Sequence, residues 1–107
     1  MGHVYESVFL LPMPTKKQLG EDGWEFESSE RLPRELVVTL ESGLSLKRGK
    51  FYLGQEIYEG EGIKLIVVCD DDGEIENIFI QLRTRTIEEI RRVLVDVRFE
   101  KVEIFIP

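Results

Sequence analysis

The chain has almost none of the residues from which most metal sites and nucleophilic active sites are built. Among its 107 residues there is one cysteine, Cys69, and one histidine, His3. A single cysteine excludes an intramolecular disulfide and fits a reducing compartment. A single histidine excludes zinc sites that need paired His or Cys ligands, and it leaves a serine–histidine triad only through His3. We therefore predict no cofactor and no resident metal, and we interpret Cys69 as a buried structural thiol.

Long apolar runs and basic N-terminal residues are also missing. The longest apolar run, residues 8–11, ends at Pro12, whereas a membrane-spanning helix needs about 20 apolar residues. The first residues carry no lysine or arginine, so they do not form the pattern of a secretory signal peptide. We therefore expect a cytoplasmic protein that does not enter a membrane.

Alanine is absent, and side-chain amides are scarce. There is one asparagine, Asn77, and there are three glutamines against sixteen glutamates. Few thermolabile amides together with many charged residues favour a thermophilic source. With 42% apolar residues the chain has enough hydrophobic surface for one core, and at 107 residues it has no room for a second. We therefore treat residues 1–107 as a single domain.

The net charge of −7 is concentrated in one part of the chain. Residues 54–76 contain eight acidic side chains and one basic side chain, Lys64, so this segment alone accounts for the whole net charge. In the rest of the chain the acidic and basic residues balance. A phosphate backbone or an anionic membrane surface requires a net basic footprint, so nucleic acid and membrane are both excluded as expected partners.

The clearest element is a hairpin around the turn Asp70-Asp71-Asp72-Gly73. Residues 63–70 and 74–82 are both rich in β-branched and apolar side chains. A two-residue turn at Asp72-Gly73 would place residue 69 opposite 76, 67 opposite 78, 65 opposite 80 and 63 opposite 82. Away from the turn this register pairs apolar with apolar side chains on both faces, whereas next to the turn it pairs Cys69 with Glu76 and Val68 with Asn77. It predicts a central hairpin in a sheet that is covered on both sides.

Other segments give shorter strand patterns. Strands are predicted at residues 3–11, around Trp24 and Phe26, at residues 34–41 and at residues 101–106. In the third of these, Leu36, Val38 and Leu40 alternate as on one face of a strand. Residues 44–47 and 50–53 are predicted to form a further hairpin about Arg48-Gly49, and the last strand is predicted to lie at a sheet edge.

One helix is predicted near the C-terminus. Thr86 and Glu89 fit a capping box, and the apolar residues that follow recur at helical spacing. We expect about three turns, although residues 93–99 also alternate with period two and leave the end of the helix open between helix and strand. The predicted fold is α+β: a mainly antiparallel, curled β-sheet of about five to seven strands, with one helix near the C-terminus packed on it.

The concentrated negative charge indicates recognition of a partner rather than catalysis. Clustered charge of one sign steers association with an oppositely charged surface. We therefore predict a non-enzymatic protein–protein interaction module, such as an inhibitor, an immunity-type protein or an assembly subunit, whose partner has a basic surface. The candidate partner-binding residues are Glu56, Glu59, Glu61, Asp70, Asp71, Asp72, Glu74 and Glu76. The intervening strand places the first three about 20 Å or more from the others, so the two groups need not form one patch.

Two other classes of function stay open. The run of three aspartates before Gly73 could bind Mg²⁺ or Ca²⁺, or serve a small carboxylate-based enzyme, if several carboxylates converge on one cavity. Aspartate and glycine are also favoured in turns that bind nothing. The strand predicted at residues 101–106 offers an apolar edge through which the chain could form a homo-oligomer.

Overall fold

The fold is α+β, as the sequence predicts. A computed structural model describes residues 6–107, so the part of the first predicted strand at residues 3–5 lies outside the described residues. Within that range, eight strands and two helices follow in the order β1 Glu6–Pro12, β2 Lys16–Gly20, β3 Gly23–Glu27, α1 Arg34–Gly43, β4 Lys47–Tyr52, β5 Gln55–Gly60, β6 Ile63–Cys69, β7 Ile75–Leu82, α2 Ile87–Val93 and β8 Val102–Phe105. A short 3₁₀ helix, Val97–Phe99, precedes β8.

Six strands form one antiparallel sheet, and β2 and β3 form a separate hairpin. The order across the large sheet is β4-β5-β6-β7-β1-β8, so the sheet is open and has two edges. The hairpin β6–β7 is central, and the last strand, β8, lies at an edge, as predicted. The other edge is β4.

The predicted register of the central hairpin is correct over most of its length. Residues 63, 65 and 67 pair with residues 82, 80 and 78. Next to the turn the prediction is wrong, because Cys69 pairs with Ile75 rather than with Glu76 and the register shifts between Val68 and Cys69. The turn is longer than two residues: the Asp70 backbone N–H bonds to the Glu74 carbonyl at 2.8 Å, and within the turn only Gly73 has a positive φ.

The hydrophobic core lies between one face of this sheet and the two helices. Alternate side chains of the strands β1, β5, β6 and β7 point into it, namely Val8, Leu10, Tyr58, Ile63, Leu65, Val67, Ile75, Ile78, Ile80 and Leu82. The helical layer closes it with Leu36, Val37, Leu40, Leu44, Ile90 and Phe99. Burial of these side chains is the main favourable contribution to folding.

Residues 34–41, predicted to be a strand, instead belong to helix α1. Leu36, Val37 and Leu40 are buried, whereas Val38 is 57% exposed. Buried positions at i, i+1 and i+4 form the apolar stripe of a helix, and the two-residue period of a strand would have turned Val37 away from the core. The strand prediction failed because Leu36 and Leu40 fit both periods, and only the need to cover the sheet decides between them.

The hairpin predicted about Arg48-Gly49 is also wrong. Residues 47–52 form one continuous strand, and the chain reverses at Leu53-Gly54, between β4 and β5. Both turn residues have positive φ, 47° at Leu53 and 78° at Gly54, as in the type I′ turns that suit two-residue hairpins. Gly49 lies in a bulge of β4 rather than in a turn.

The capping box predicted at Thr86 is confirmed. The Glu89 carboxylate accepts a hydrogen bond from the Thr86 backbone N–H at 3.0 Å, and α2 begins at Ile87. Helix α2 has two turns rather than three, and a bend and the 3₁₀ helix Val97–Phe99 follow it in place of a longer helix or a strand. Neither α1 nor α2 is long and apolar enough to span a bilayer.

An aromatic cluster lies on the opposite face of the sheet, at β1 and β8. The ring of Phe9 stacks on that of Phe79 with 4.8 Å between centroids. The β2–β3 hairpin packs over this region through Phe26, whose ring lies 4.9 Å from Phe9. Trp24 contacts Phe105 edge to face at 4.9 Å. The strand predicted around Trp24 and Phe26 is therefore present, and its rings cover part of the sheet.

Two substitutions in α1 should separate its buried side from its exposed side. We expect Leu40→Ala to lower the free energy of unfolding by about 3 kcal/mol, because it leaves a cavity over the sheet. Val38→Ala should change it by no more than about 0.5 kcal/mol, since Val38 faces solvent. Urea denaturation measures both values, and equal losses at the two positions would contradict the helical assignment.

Candidate functional site

The structure divides the eight acidic candidates between the two ends of the sheet. Strand β5 runs antiparallel to β6, with Glu56 opposite Val67 and Glu59 opposite Lys64. Glu56 therefore lies near the Asp70 turn, whereas Glu59 and Glu61 lie towards the far end. The expectation that Glu56 shares an end with Glu59 and Glu61 is wrong, because β5 begins directly after the Leu53-Gly54 turn, beside the end of β6.

Glu56 is buried in an ion pair with the first residue of α1. Its side chain is 7% exposed, and its Oε1 atom accepts a hydrogen bond from the Arg34 guanidinium at 2.7 Å. The Tyr58 hydroxyl donates to the same oxygen at 3.0 Å. Arg34 itself is 48% exposed and covers the carboxylate from the solvent side. Glu56 thus joins α1 to β5, and its carboxylate is not offered to a partner surface.

Cys69 completes this cluster. Its thiol donates to Glu56 Oε2 at 3.7 Å, and the Arg34 guanidinium lies 3.9 Å from its sulfur. The hydrogen bond from Arg34 lowers the pKa of Glu56, so the carboxylate stays ionised against the opposing effect of burial. Burial, with the negative charge of Glu56, raises the pKa of the Cys69 thiol. The thiol therefore stays protonated and is a poor nucleophile, which agrees with a structural role.

Asp70 builds the β6–β7 turn. Its Oδ1 atom accepts hydrogen bonds from the backbone N–H groups of Asp72 at 2.8 Å and Glu74 at 3.0 Å. Its Oδ2 atom accepts from Arg31 Nε at 2.9 Å. The hydrogen bond from Arg31, followed by those from the turn, lowers the pKa of Asp70. Like that of Glu56, the carboxylate of Asp70 is engaged in hydrogen bonds within the protein, and it fixes the shape of the turn.

The remaining acidic side chains of the turn point to solvent. Among residues 6–107, Asp71, Asp72 and Glu74 are exposed and form no salt bridge, and Glu76 is exposed with its carboxylate 4.0 Å from Arg31. Across residues 6–107, no group of three or more His, Cys, Asp or Glu side chains is arranged to hold a metal ion. The turn therefore presents negative charge at its surface without a set of converging carboxylates.

Beside this acidic turn, the sequence analysis missed an exposed apolar segment. Phe51, Tyr52 and Leu53 are 61%, 66% and 82% exposed, respectively. The hairpin predicted about Arg48-Gly49 placed Phe51, Tyr52 and Leu53 within its second strand, residues 50–53, so Leu53 was not expected in a turn. The signal in the sequence is Leu53-Gly54 between two β-rich segments, where a turn would normally carry Asn-Gly or Asp-Gly.

The backbone of Leu53 is itself unusual. Its φ of 47° lies in the left-handed region, which costs an L-residue other than glycine roughly 1–2 kcal/mol. Asparagine and aspartate adopt this conformation more easily, because their side chains bond to the local backbone. A strained and solvent-exposed leucine contributes nothing to the core.

The two turns adjoin at one end of the sheet. The Cys69 backbone N–H donates to the Gly54 carbonyl at 2.8 Å, and Asp70 follows directly in the chain. Neighbouring strands lie about 5 Å apart, so the Leu53-Gly54 turn sits next to the acidic turn. We refer to the exposed side chains of these two turns as the turn-end surface. Its members are Tyr52, Leu53, Asp71, Asp72 and Glu74.

The ion pair beneath this surface gives a pH-dependent prediction. Arg34→Met should lower the free energy of unfolding by about 2 kcal/mol at pH 7, because it leaves a buried charge without its partner. Fully buried pairs lose roughly 3–5 kcal/mol, and the smaller value follows from the half-exposed guanidinium.

The sign of the pH dependence is fixed by the shifted pKa of Glu56. In the wild type this pKa is depressed, so the pair stabilises the fold above the unfolded-state pKa, and the contribution is lost as the pH falls through the folded-state pKa. Arg34→Met removes the largest cause of the lowered pKa of Glu56, so the variant lacks the stability that the wild type gains from this pair as the pH rises. Denaturation between about pH 3 and pH 7 should show the largest difference at neutral pH. Arg34→Met/Glu56→Gln is the control without the titrating group, and a pH-independent loss in Arg34→Met would contradict the assignment.

Comparison with known proteins does not add a relative. No protein-family model, no curated protein and no solved structure matches this chain. The function of the chain is therefore argued from its own charges, hydrogen bonds and exposed side chains.

Proposed function

We propose that this chain is a non-enzymatic protein-binding module that docks to a basic protein through the turn-end surface. The observation that carries the proposal is Leu53, which is 82% exposed and held in the left-handed region beside an acidic turn. Tyrosine is among the residues that dominate the binding energy at protein interfaces, and Tyr52 lies next to Leu53 in the chain. Exposure of the Leu53 and Tyr52 side chains lowers the solubility of the free protein, and a bound partner would cover them.

The charges around Leu53 indicate the chemistry of the partner. Asp71, Asp72 and Glu74 form no direct salt bridge within residues 6–107, in contrast to Asp70, which accepts a hydrogen bond from Arg31. Glu74 has only the longer-range attraction of the same guanidinium. Unpaired charge at the rim of an interface increases the association rate with an oppositely charged surface. The partner should therefore present lysine or arginine side chains around an apolar depression that accepts Leu53.

The buried and bridged acidic residues have a positioning role in this proposal. Glu56 holds the start of α1 against β5 through Arg34, and Asp70 fixes the β6–β7 turn through its backbone bonds. Together they give the turn-end surface a defined shape before a partner arrives, which reduces the entropy lost on binding. Glu59 and Glu61 lie at the other end of the sheet and are not assigned to the interface.

The alternative functions have less support. A carboxylate enzyme or a metal-binding protein would need acidic side chains that converge, and in the described turn Asp71, Asp72 and Glu74 each face solvent. A homo-oligomer through β8 is distinguishable by experiment.

We propose the cytoplasm as the setting, because the one cysteine is a protonated thiol within an ion-pair cluster and serves no disulfide.

Neutralising the exposed acidic residues of the turn should weaken partner binding without unfolding the protein. The test variant is Asp71→Asn/Asp72→Asn/Glu74→Gln, used as bait beside the wild type in a lysate of the source organism. A captured basic protein is then purified and titrated. We expect the dissociation constant to rise about tenfold or more, with a weaker dependence on salt, because three rim charges are lost.

The matched control removes the same number of charges from the β2–β3 hairpin. Glu21→Gln/Asp22→Asn/Glu25→Gln has the same net charge as the test variant but leaves the turn-end surface intact. It should bind the partner like the wild type. Equal binding by all three proteins would exclude the acidic turn as the docking site, and sedimentation of the wild type as a dimer through β8 would favour the homo-oligomer instead.

A single substitution at Leu53 should change stability and binding in opposite directions. Leu53→Asn relieves the left-handed strain and creates the favoured Asn-Gly turn, so we expect the free energy of unfolding to increase by about 1 kcal/mol. The same change removes the apolar contact and should weaken partner binding about tenfold or more. Denaturation and titration measure the two effects. A stabilised variant with unchanged affinity would remove Leu53 from the interface.

A further inference from the structure

The edge strand β4 has a free side to which another strand could be added. It is the terminal strand of the six-stranded sheet, and all six of its residues are exposed. One side of β4 pairs with β5, and the backbone groups on its other side have no strand partner among residues 6–107. Such an edge is a ready template for an added strand.

The charge of this edge is opposite to that of the molecule as a whole. Lys47, Arg48 and Lys50 lie on β4, and the strand contains no acidic residue. None of the three forms a salt bridge within the described part of the chain, in contrast to Arg31 and Arg34. Lys47 and Arg48 are consecutive, so they project from opposite faces of the sheet. The edge therefore offers positive charge on both faces.

The same charges decide which strand can be added. A second copy of β4 would bring basic side chains close to one another, and like charges on neighbouring strands repel. Pairing of β4 with itself is therefore disfavoured. An acidic strand would instead be attracted to Lys47, Arg48 and Lys50, the residues that repel a second copy of β4. Phe51, which is 61% exposed at the end of β4, adds an apolar contact for the same strand.

We propose that β4 binds an extended acidic segment of a partner protein by strand addition. In an antiparallel arrangement the segment carries an apolar residue opposite Phe51 and acidic residues opposite Lys47, Arg48 and Lys50. Backbone hydrogen bonds hold the segment in place, and the alternation of its acidic side chains between the two faces gives specificity. This inference does not depend on the turn-end surface, which recognises the opposite charge.

The test uses the full chain and a synthetic peptide. The probe is acetyl-Thr-Val-Val-Glu-Thr-Glu-Glu-Thr-amide, and the control peptide has lysine in place of each glutamate. We expect the acidic peptide to shift the amide resonances of β4 in a titration followed by NMR, and to slow the hydrogen exchange of amides in residues 47–52. The lysine peptide should cause neither change. Equal effects from the two peptides would overturn the proposal.

A charge-swapped protein and a blocked peptide complete the test. Lys47→Glu/Lys50→Glu should bind the acidic peptide about tenfold more weakly and should bind the lysine peptide in its place. Arg48 is left unchanged, because its charge acts on the buried Glu56. A peptide N-methylated at alternate amides on its bonding edge should not bind, since strand addition needs those donors. Unchanged binding in either case would refute strand addition at β4.

The proposals for the turn-end surface and for β4 can be refuted independently of each other. Asp71→Asn/Asp72→Asn/Glu74→Gln should retain wild-type affinity for the acidic peptide, because its changes lie outside β4. A loss of peptide binding in that variant would place the peptide on the acidic turn and overturn the edge-strand proposal. Concentration-dependent dimers in which the amides of residues 47–52 are protected from hydrogen exchange before peptide is added would overturn it as well, since a second copy would then be the occupant of the edge.

Discussion

The antiparallel pairing of β6 with β7 is the interaction on which the other elements depend. The inward side chains of these two strands form the centre of the core, and the helices α1 and α2 cover them. Strands β5 and β1 add to the outer sides of this hairpin, and β4 and β8 add to those in turn. A shift of the β6–β7 register by one residue would turn every inward side chain to the other face. The apolar pairing of the two strands therefore fixes both the sheet and the surface against which the helices pack.

The same hairpin determines where charge is displayed. Its turn lies at one end of the sheet, and the β4–β5 turn lies beside it because the Gly54 carbonyl bonds to the Cys69 amide. Arg31 and Arg34 neutralise Asp70 and Glu56 at this end and leave the outermost carboxylates unpaired. An acidic sequence segment is thus divided into internal ion pairs that shape the surface and external charges that are available for recognition.

The cluster of Arg34, Glu56, Tyr58 and Cys69, in which only Glu56 and Tyr58 are fully buried, has a mainly structural role. Its hydrogen bonds connect the first turn of α1 to β5 and to the end of β6. An ionised carboxylate with a depressed pKa and a thiol with a raised pKa are each in the less reactive form at neutral pH. These titratable groups therefore act to hold α1 in place, and the surfaces proposed for function lie outside them.

The order of the strands places the basic and acidic surfaces on different parts of the sheet that meet at one corner. The basic edge β4 and the acidic turn after β6 come from different parts of the sequence, yet they border the same corner of the sheet. Like-charge repulsion along β4 opposes pairing of the edge with another copy of itself. The fold consequently presents two exposed surfaces of opposite charge, both of which we propose as recognition surfaces, and the charge of β4 disfavours its aggregation with another copy.

Local patterns were sufficient for the elements whose side chains alternate without ambiguity. The sequence by itself determined the α+β class, the central β6–β7 hairpin with most of its register, the capping box at Thr86 and the edge position of the last strand. Each of these depends on neighbouring residues: apolar alternation on both strands, or the spacing from Thr86 to Glu89.

Tertiary structure decided the rest, because the competing local patterns were nearly equal. Leu36 and Leu40 fit a strand and a helix equally well, and only the need to cover an apolar sheet made α1 a helix. The acidic residues could be counted from the sequence, but burial of Glu56 beneath Arg34 and the ion pair of Asp70 with Arg31 require partners 22 and 39 residues away. Exposure of Leu53 depends on which residues form the β4–β5 turn, and that follows from the pairing of β4 with β5 rather than from local propensity. Long-range contacts of this kind are set when the core closes, so no local pattern could specify them.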